Sequence, residues 1–119
     1  MSNAIRDFRD LIVWQRAMEF AKAVYQISKK FPADERFGLT AQIRRAAVSV
    51  SSNIAEGHAR QGREFTHFLS IARGSLAEAE SQLLLAVSLE FCKQDEIDAA
   101  SNLATEIRKM AAALASKLC

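Results

Sequence analysis

Between Phe65 and Ala86 the apolar residues Phe65, Leu69, Ala72, Leu76, Ala79, Leu83 and Ala86 follow one another at alternating steps of four and three. A strand would scatter such residues over both of its faces, whereas an α-helix gathers them into one stripe, so the pattern calls for a long helix with a single buried side. About 25 residues at ~1.5 Å each make a rod of roughly 38 Å. Such a rod is not stable alone in water, and it needs other helices of similar length to cover its apolar side.

The rest of the chain supplies three. From Asp10 to Lys30 one stripe runs through Val13, Ala17, Phe20, Val24, Ile27 and Phe31, with a second beside it through Trp14, Met18, Ala21 and Tyr25. Gln15, Arg16, Glu19, Lys22, Gln26 and Lys29 fill the other side, and Pro32 ends the helix because a residue before proline is pushed out of helical angles. After a loop over residues 33–38, a second helix turns Leu39, Ile43, Ala46, Val50 and Ile54 inward and is expected to stop near Gly57. Gly57 and Gly62 then bracket a short basic connection, His58 to Gln61, each glycine permitting the left-handed backbone of a cap. A break over Cys92 to Gln94 leads to a fourth helix whose Asp95, Glu96 and Asp98 suit its positive N-terminal end. Its inward stripe is Ile97, Ala100, Ala104, Ile107, Ala111, Leu114 and Leu118. Short connections favour antiparallel neighbours, so the expected architecture is an all-α, up-and-down four-helix bundle over residues 8–119, preceded by a flexible arm over 1–7.

With 119 residues, half of them apolar, and only one proline and four glycines, the chain suits one folded domain and not a disordered segment. Apolar runs such as Leu83 to Val87 are far short of the ~18 residues of a membrane span. Arg6, Asp7, Arg9 and Asp10 precede any hydrophobic segment, so no signal peptide is expected. Cys92 and Cys119 stand far apart with no histidine near either, which argues against a zinc site or a disulfide framework and for a reducing cytoplasm.

A four-helix bundle invites comparison with di-iron carboxylate proteins, which need a Glu from each of two helices and Glu-x-x-His from each of the other two. Glu64-Phe-Thr-His67 is one such motif, and Glu78 lies near it in sequence. A second motif is absent, since Ala55 stands three residues before the other histidine, His58. No nucleophile, base and carboxylate share a recognisable context, so neither an enzyme nor a cofactor is expected. Two features point elsewhere. Residues 1–75 hold twelve Lys/Arg against seven Asp/Glu, whereas 76–119 hold four against seven, so the basic charge is concentrated in the first part of the chain. Arg44, Arg45, Arg60, Arg63 and Arg73 carry much of that excess and are candidates to contact phosphates, although a solvated face would explain them as well and no aromatic residues are interleaved with them as a stacking platform. On helix 2, Arg45, Ser49, Ser52, Asn53 and Glu56 form a polar stripe that either bonds the adjacent helix and solvent or meets a subunit or ligand. Trp14, Ser49, Ser52, Asn53 and Glu56 are the candidate interface residues.

The segments Phe8-Arg-Asp-Leu-Ile-Val-Trp14, Phe37 through Ser49, Ser52-Asn-Ile-Ala-Glu-Gly57 and Phe65 through Glu78 resemble the bacterial four-helix bundle protein family. Its members include the intervening-sequence proteins encoded within large-subunit ribosomal RNA genes, often labelled S23 ribosomal proteins. The resemblance implies a four-helix bundle assembled as a ring-shaped homopentamer, and relatives beside reverse transcriptases bind nucleic acid through a basic surface. Ser51 stands where the family commonly has proline and His58 where an aromatic residue usually follows the glycine, which implies a straighter second helix and a weaker binding role for the connection. The expectation is thus a cytoplasmic, non-enzymatic, homo-oligomeric scaffold with RNA or a ribonucleoprotein as partner, and with no membrane or small-molecule substrate. Two other readings stay open: a metal-dependent enzyme built on Glu64 and His67, and a protein-binding adaptor without nucleic acid.

Overall fold

The computed structural model describes residues 5–118; what the sequence leads one to expect of residues 1–4 and of Cys119 lies outside them. Four helices account for most of the chain: α1 Ile12–Ser28, α2 Leu39–Arg60, α3 Gly62–Ser88 and α4 Gln94–Leu118. Single 3-10 turns at Phe8–Asp10 and Ala33–Glu35 precede α1 and α2. Each helix packs on two neighbours, in the cyclic order α1, α2, α3, α4, and the α2–α3 contact is the most extensive. The result is an antiparallel bundle of 48 × 25 × 19 Å, with no strand among the described residues.

The interior is the union of the predicted stripes. All seven α3 positions from Phe65 to Ala86 are buried, as are Phe20, Val24, Ile43, Val50, Ile54, Ile97 and Ile107. Each large side chain buried in this way contributes roughly 1.5–3 kcal/mol. Alanines at 72, 79, 86, 100, 104 and 111 are also buried, yet the closest helix pair is α2 with α3 and not α3 with α4. Leu114 and Leu118, expected to face inward, are only half-buried and pack against the edge of the core. Exposed ion pairs cross between helices from Arg16 to Glu106 at 2.8 Å, from Arg108 to Glu80 at 2.5 Å, and from Lys30 to Glu96. Pairs this exposed contribute ~0–1 kcal/mol each, so they orient the helices more than they hold them. No helix among the described residues is long and apolar enough to cross a membrane.

One expectation about the connections is overturned. Gly57 does not end α2, which continues through His58 and Ala59 to Arg60, and Gly57 is itself buried in the helix. The reversal is made by Gln61 (φ 66°) and Gly62 (φ 59°), so only Gly62 serves as the left-handed position. Gly57 is needed for another reason: a β-carbon there would meet the β-carbon of Phe68 at 2.7 Å, so α3 approaches α2 more closely than any larger residue allows. Helix α1 is also shorter than its apolar stripe, since Asp10 belongs to the preceding 3-10 turn and the helix stops at Ser28, before Phe31 and Pro32. Ser51 lies within an uninterrupted α2 and is buried, its hydroxyl donating to the Val48 carbonyl at 3.2 Å.

Candidate functional site

The polar stripe of α2 and its α3 neighbours line a shallow groove formed by Gln42, Arg45, Ala46, Ser49, Ser75 and Glu78. At its floor the Ser49 and Ser75 hydroxyl oxygens are 2.8 Å apart. The Asn53 amide nitrogen donates to both the carbonyl and the hydroxyl of Ser49, each at 2.8 Å. Ser49 and Asn53 are therefore satisfied inside the bundle, and their pairing removes the ~1–3 kcal/mol that an unmade buried bond would cost. Ser52 and Glu56 point away into solvent, and Glu56 accepts from Arg60 at 3.0 Å. Along the outer side of α3 beside this groove Ile71 and Leu85 are exposed, as is Leu89 just past the helix end, at spacings that return to one face. Trp14 is not on this face. It is half-buried on α1 and packs edge-on against Phe8, with ring centres 5.1 Å apart.

The five candidate arginines do not form one patch. Arg60 is held between Glu56 and Glu64, at 3.0 and 3.2 Å, at the α2–α3 turn, which leaves little charge for a ligand. Arg44 turns toward α1, where its guanidinium lies over the Tyr25 ring and donates to Ser28. Arg45, Arg63 and Arg73 are exposed, and among the described residues no carboxylate comes within 4 Å of any of them. The sequence shows no aromatic platform beside these arginines, yet the fold supplies aromatic partners. Folding sets Arg44 over Tyr25 at 4.6 Å, Arg60 over Phe68 at 5.2 Å and Arg36 over Phe37 at 5.2 Å. Phe37 itself is 86% exposed. No local sequence signal marks the first two pairs, because each joins different helices.

The residues of the metal-enzyme reading do not converge. Glu64, His67 and Glu78 are all on the exposed side of α3, Glu64 is paired with Arg60, and His67 lies edge-on to Phe68. Ser28 and Ser51 are the buried polar residues of the described interior, and no three described His, Cys, Asp or Glu side chains are grouped as metal ligands would be. Buried Cys92 is a free thiol near the α3–α4 turn.

The sequence pattern of the family described as 23S rRNA-intervening sequence protein matches residues 9–113. The chain is also similar to a protein of unknown function from the S23 ribosomal protein family of Bacteroides thetaiotaomicron, known from its crystal structure. The two share 27% identity and superpose with a TM-score of 0.79, over 87% of this chain and 98% of the other. No curated protein matches.

Proposed function

The chain belongs to the 23S rRNA-intervening sequence protein family, and from that premise we propose that it is a non-enzymatic helical scaffold, assembled from copies of itself, that carries RNA on its basic surface in the cytoplasm. The observation that carries self-association is the α2–α3 face. There Ile71 and Leu85 of α3, and Leu89 just beyond its end, remain in solvent although the bundle interior is complete without them, with Glu78 midway between the first two on the same side and Arg45 across the groove from it. Apolar side chains left in solvent along one face, interspersed with polar groups, suit a surface that a partner covers. The copy number five is what the family resemblance implies. Support for RNA comes from the family's association with 23S rRNA intervening sequences and from Arg45, Arg63 and Arg73, whose charges no described carboxylate within 4 Å neutralises.

Replacing Leu85 and Leu89 together by Glu tests the assembly. Both are exposed, so the variant should keep its helical circular dichroism and lose association. A variant that associates like the unaltered chain would remove this face from the account.

A further inference from the structure

We propose that the face shared by α1 and α2, on the far side of α2 from the groove, binds an unpaired nucleic-acid strand, with Tyr25 and Arg44 as the stacking platform and Lys22 and Lys29 as phosphate contacts. This rests on the reading that the protein carries nucleic acid, and it adds where the strand lies and in what form it is taken.

The platform is built before any ligand arrives. The Arg44 guanidinium carbon is 4.6 Å from the centre of the Tyr25 ring. Its Nε donates to the Ser28 hydroxyl at 2.8 Å, and one terminal nitrogen donates to the Tyr25 carbonyl at 3.5 Å. Ser28 is 3% exposed and is itself anchored, donating to the same carbonyl at 3.2 Å. Tyr25 is nevertheless 40% exposed, so the ring and the guanidinium plane stay within reach of a base. A pre-set plane loses little further freedom on binding, and both tyrosine rings and arginine planes stack on unpaired bases.

Helix α1 sorts its cations by side. Toward α4, Arg16 is neutralised by Glu19 and Glu106 and Lys30 by Glu96. On the Tyr25 side, Lys22 stands three residues before the ring and Lys29 four after it, both exposed and with no described carboxylate within 4 Å. The two lysines are about 10 Å apart along the axis, so a strand laid along α1 meets cation, ring and cation in turn. On α2 the positions that share the face of Arg44, at steps of three and four, are Thr40, Ala41, Ala47, Val48 and Ser51, with no carboxylate among them. Half-exposed Met18 and Val48 add apolar surface beside the ring. A basic track with an accessible aromatic suits single strands, because a duplex keeps its base faces stacked inside and offers this platform nothing.

Fluorescence polarisation with a labelled 12-nucleotide oligo(U) RNA, the matching oligo(dT) DNA and a blunt duplex of equal length provides the test. The unpaired strands should bind more tightly than the duplex, and the RNA and DNA arms identify which sugar the face prefers. Tyr25→Leu should weaken strand binding about 5- to 150-fold and leave duplex binding unchanged, while Tyr25→Phe retains it. Lys22→Glu and Lys29→Glu should each make the logarithmic salt dependence shallower by about 0.7. Melting by circular dichroism confirms that the variants fold. Preference for the duplex, or for anionic phospholipid vesicles, would overturn the proposal. So would unchanged binding by these variants alongside a loss in Arg63→Glu with Arg73→Glu, which moves the site but leaves nucleic-acid binding standing. Failure of the unaltered protein to bind any of the oligonucleotides would remove both.

Discussion

A β-carbon on Gly57 would lie 2.7 Å from the β-carbon of Phe68. That atom adjoins the α3 backbone and cannot swing aside, so Gly57→Ala forces the two helices apart. Overpacking of this kind costs ~1–3 kcal/mol, against which alanine recovers up to about 1 kcal/mol of helix propensity. The expected outcome is a lower melting temperature, read by circular dichroism, with the helical content of α2 preserved.

Gly74 should behave in the opposite way. It lies inside α3 on the exposed side, and a β-carbon there meets nothing within 4 Å. Gly74→Ala should stabilise the chain by about 0.5–1 kcal/mol, raising the midpoint of urea unfolding. A lowered midpoint would mean that another copy packs against this position, since nothing in the same chain comes that near.

Acid should loosen the entry to α1. Asp7 caps the turn at Phe8–Asp10, and the Arg9 guanidinium, helped by the Arg9 backbone N–H, holds its carboxyl down at about 2 from an ordinary 3.8. A depressed carboxyl contributes stability above its ordinary value and loses it as pH falls toward 2. The melting-temperature gap between the unaltered chain and Asp7→Ala should therefore be largest near neutral pH, begin to close below about pH 4 and vanish below pH 2.

Metal should be dispensable. Glu64 is committed to Arg60 at 3.2 Å and His67 faces solvent beside Phe68, so they offer no shared centre for an ion. Elemental analysis should find no stoichiometric transition metal, and His67→Ala should leave both metal content and melting temperature unchanged.

The fold was largely legible because the apolar rhythm is strict: every position of the Phe65 to Ala86 stripe is buried. Gly57 was misread because a glycine followed by His58 and Arg60 looks locally like a stop, whereas the demand for glycine comes from Phe65 and Phe68 on the next helix. The candidate sites were less legible for the same kind of reason. Tyr25 and Arg44 are 19 residues apart and meet only because α1 and α2 pair. The state of Arg60, by contrast, is legible locally: Glu56 and Glu64 stand four residues either side of it, whereas Arg63 has Ala59 and His67 at those positions.

If the bundle works as an assembly, light scattering coupled to gel filtration at micromolar concentration should find a particle of two or more 13.2 kDa chains, with five copies the number that the family resemblance implies. A single species of 13.2 kDa that persists as the concentration is raised would contradict it.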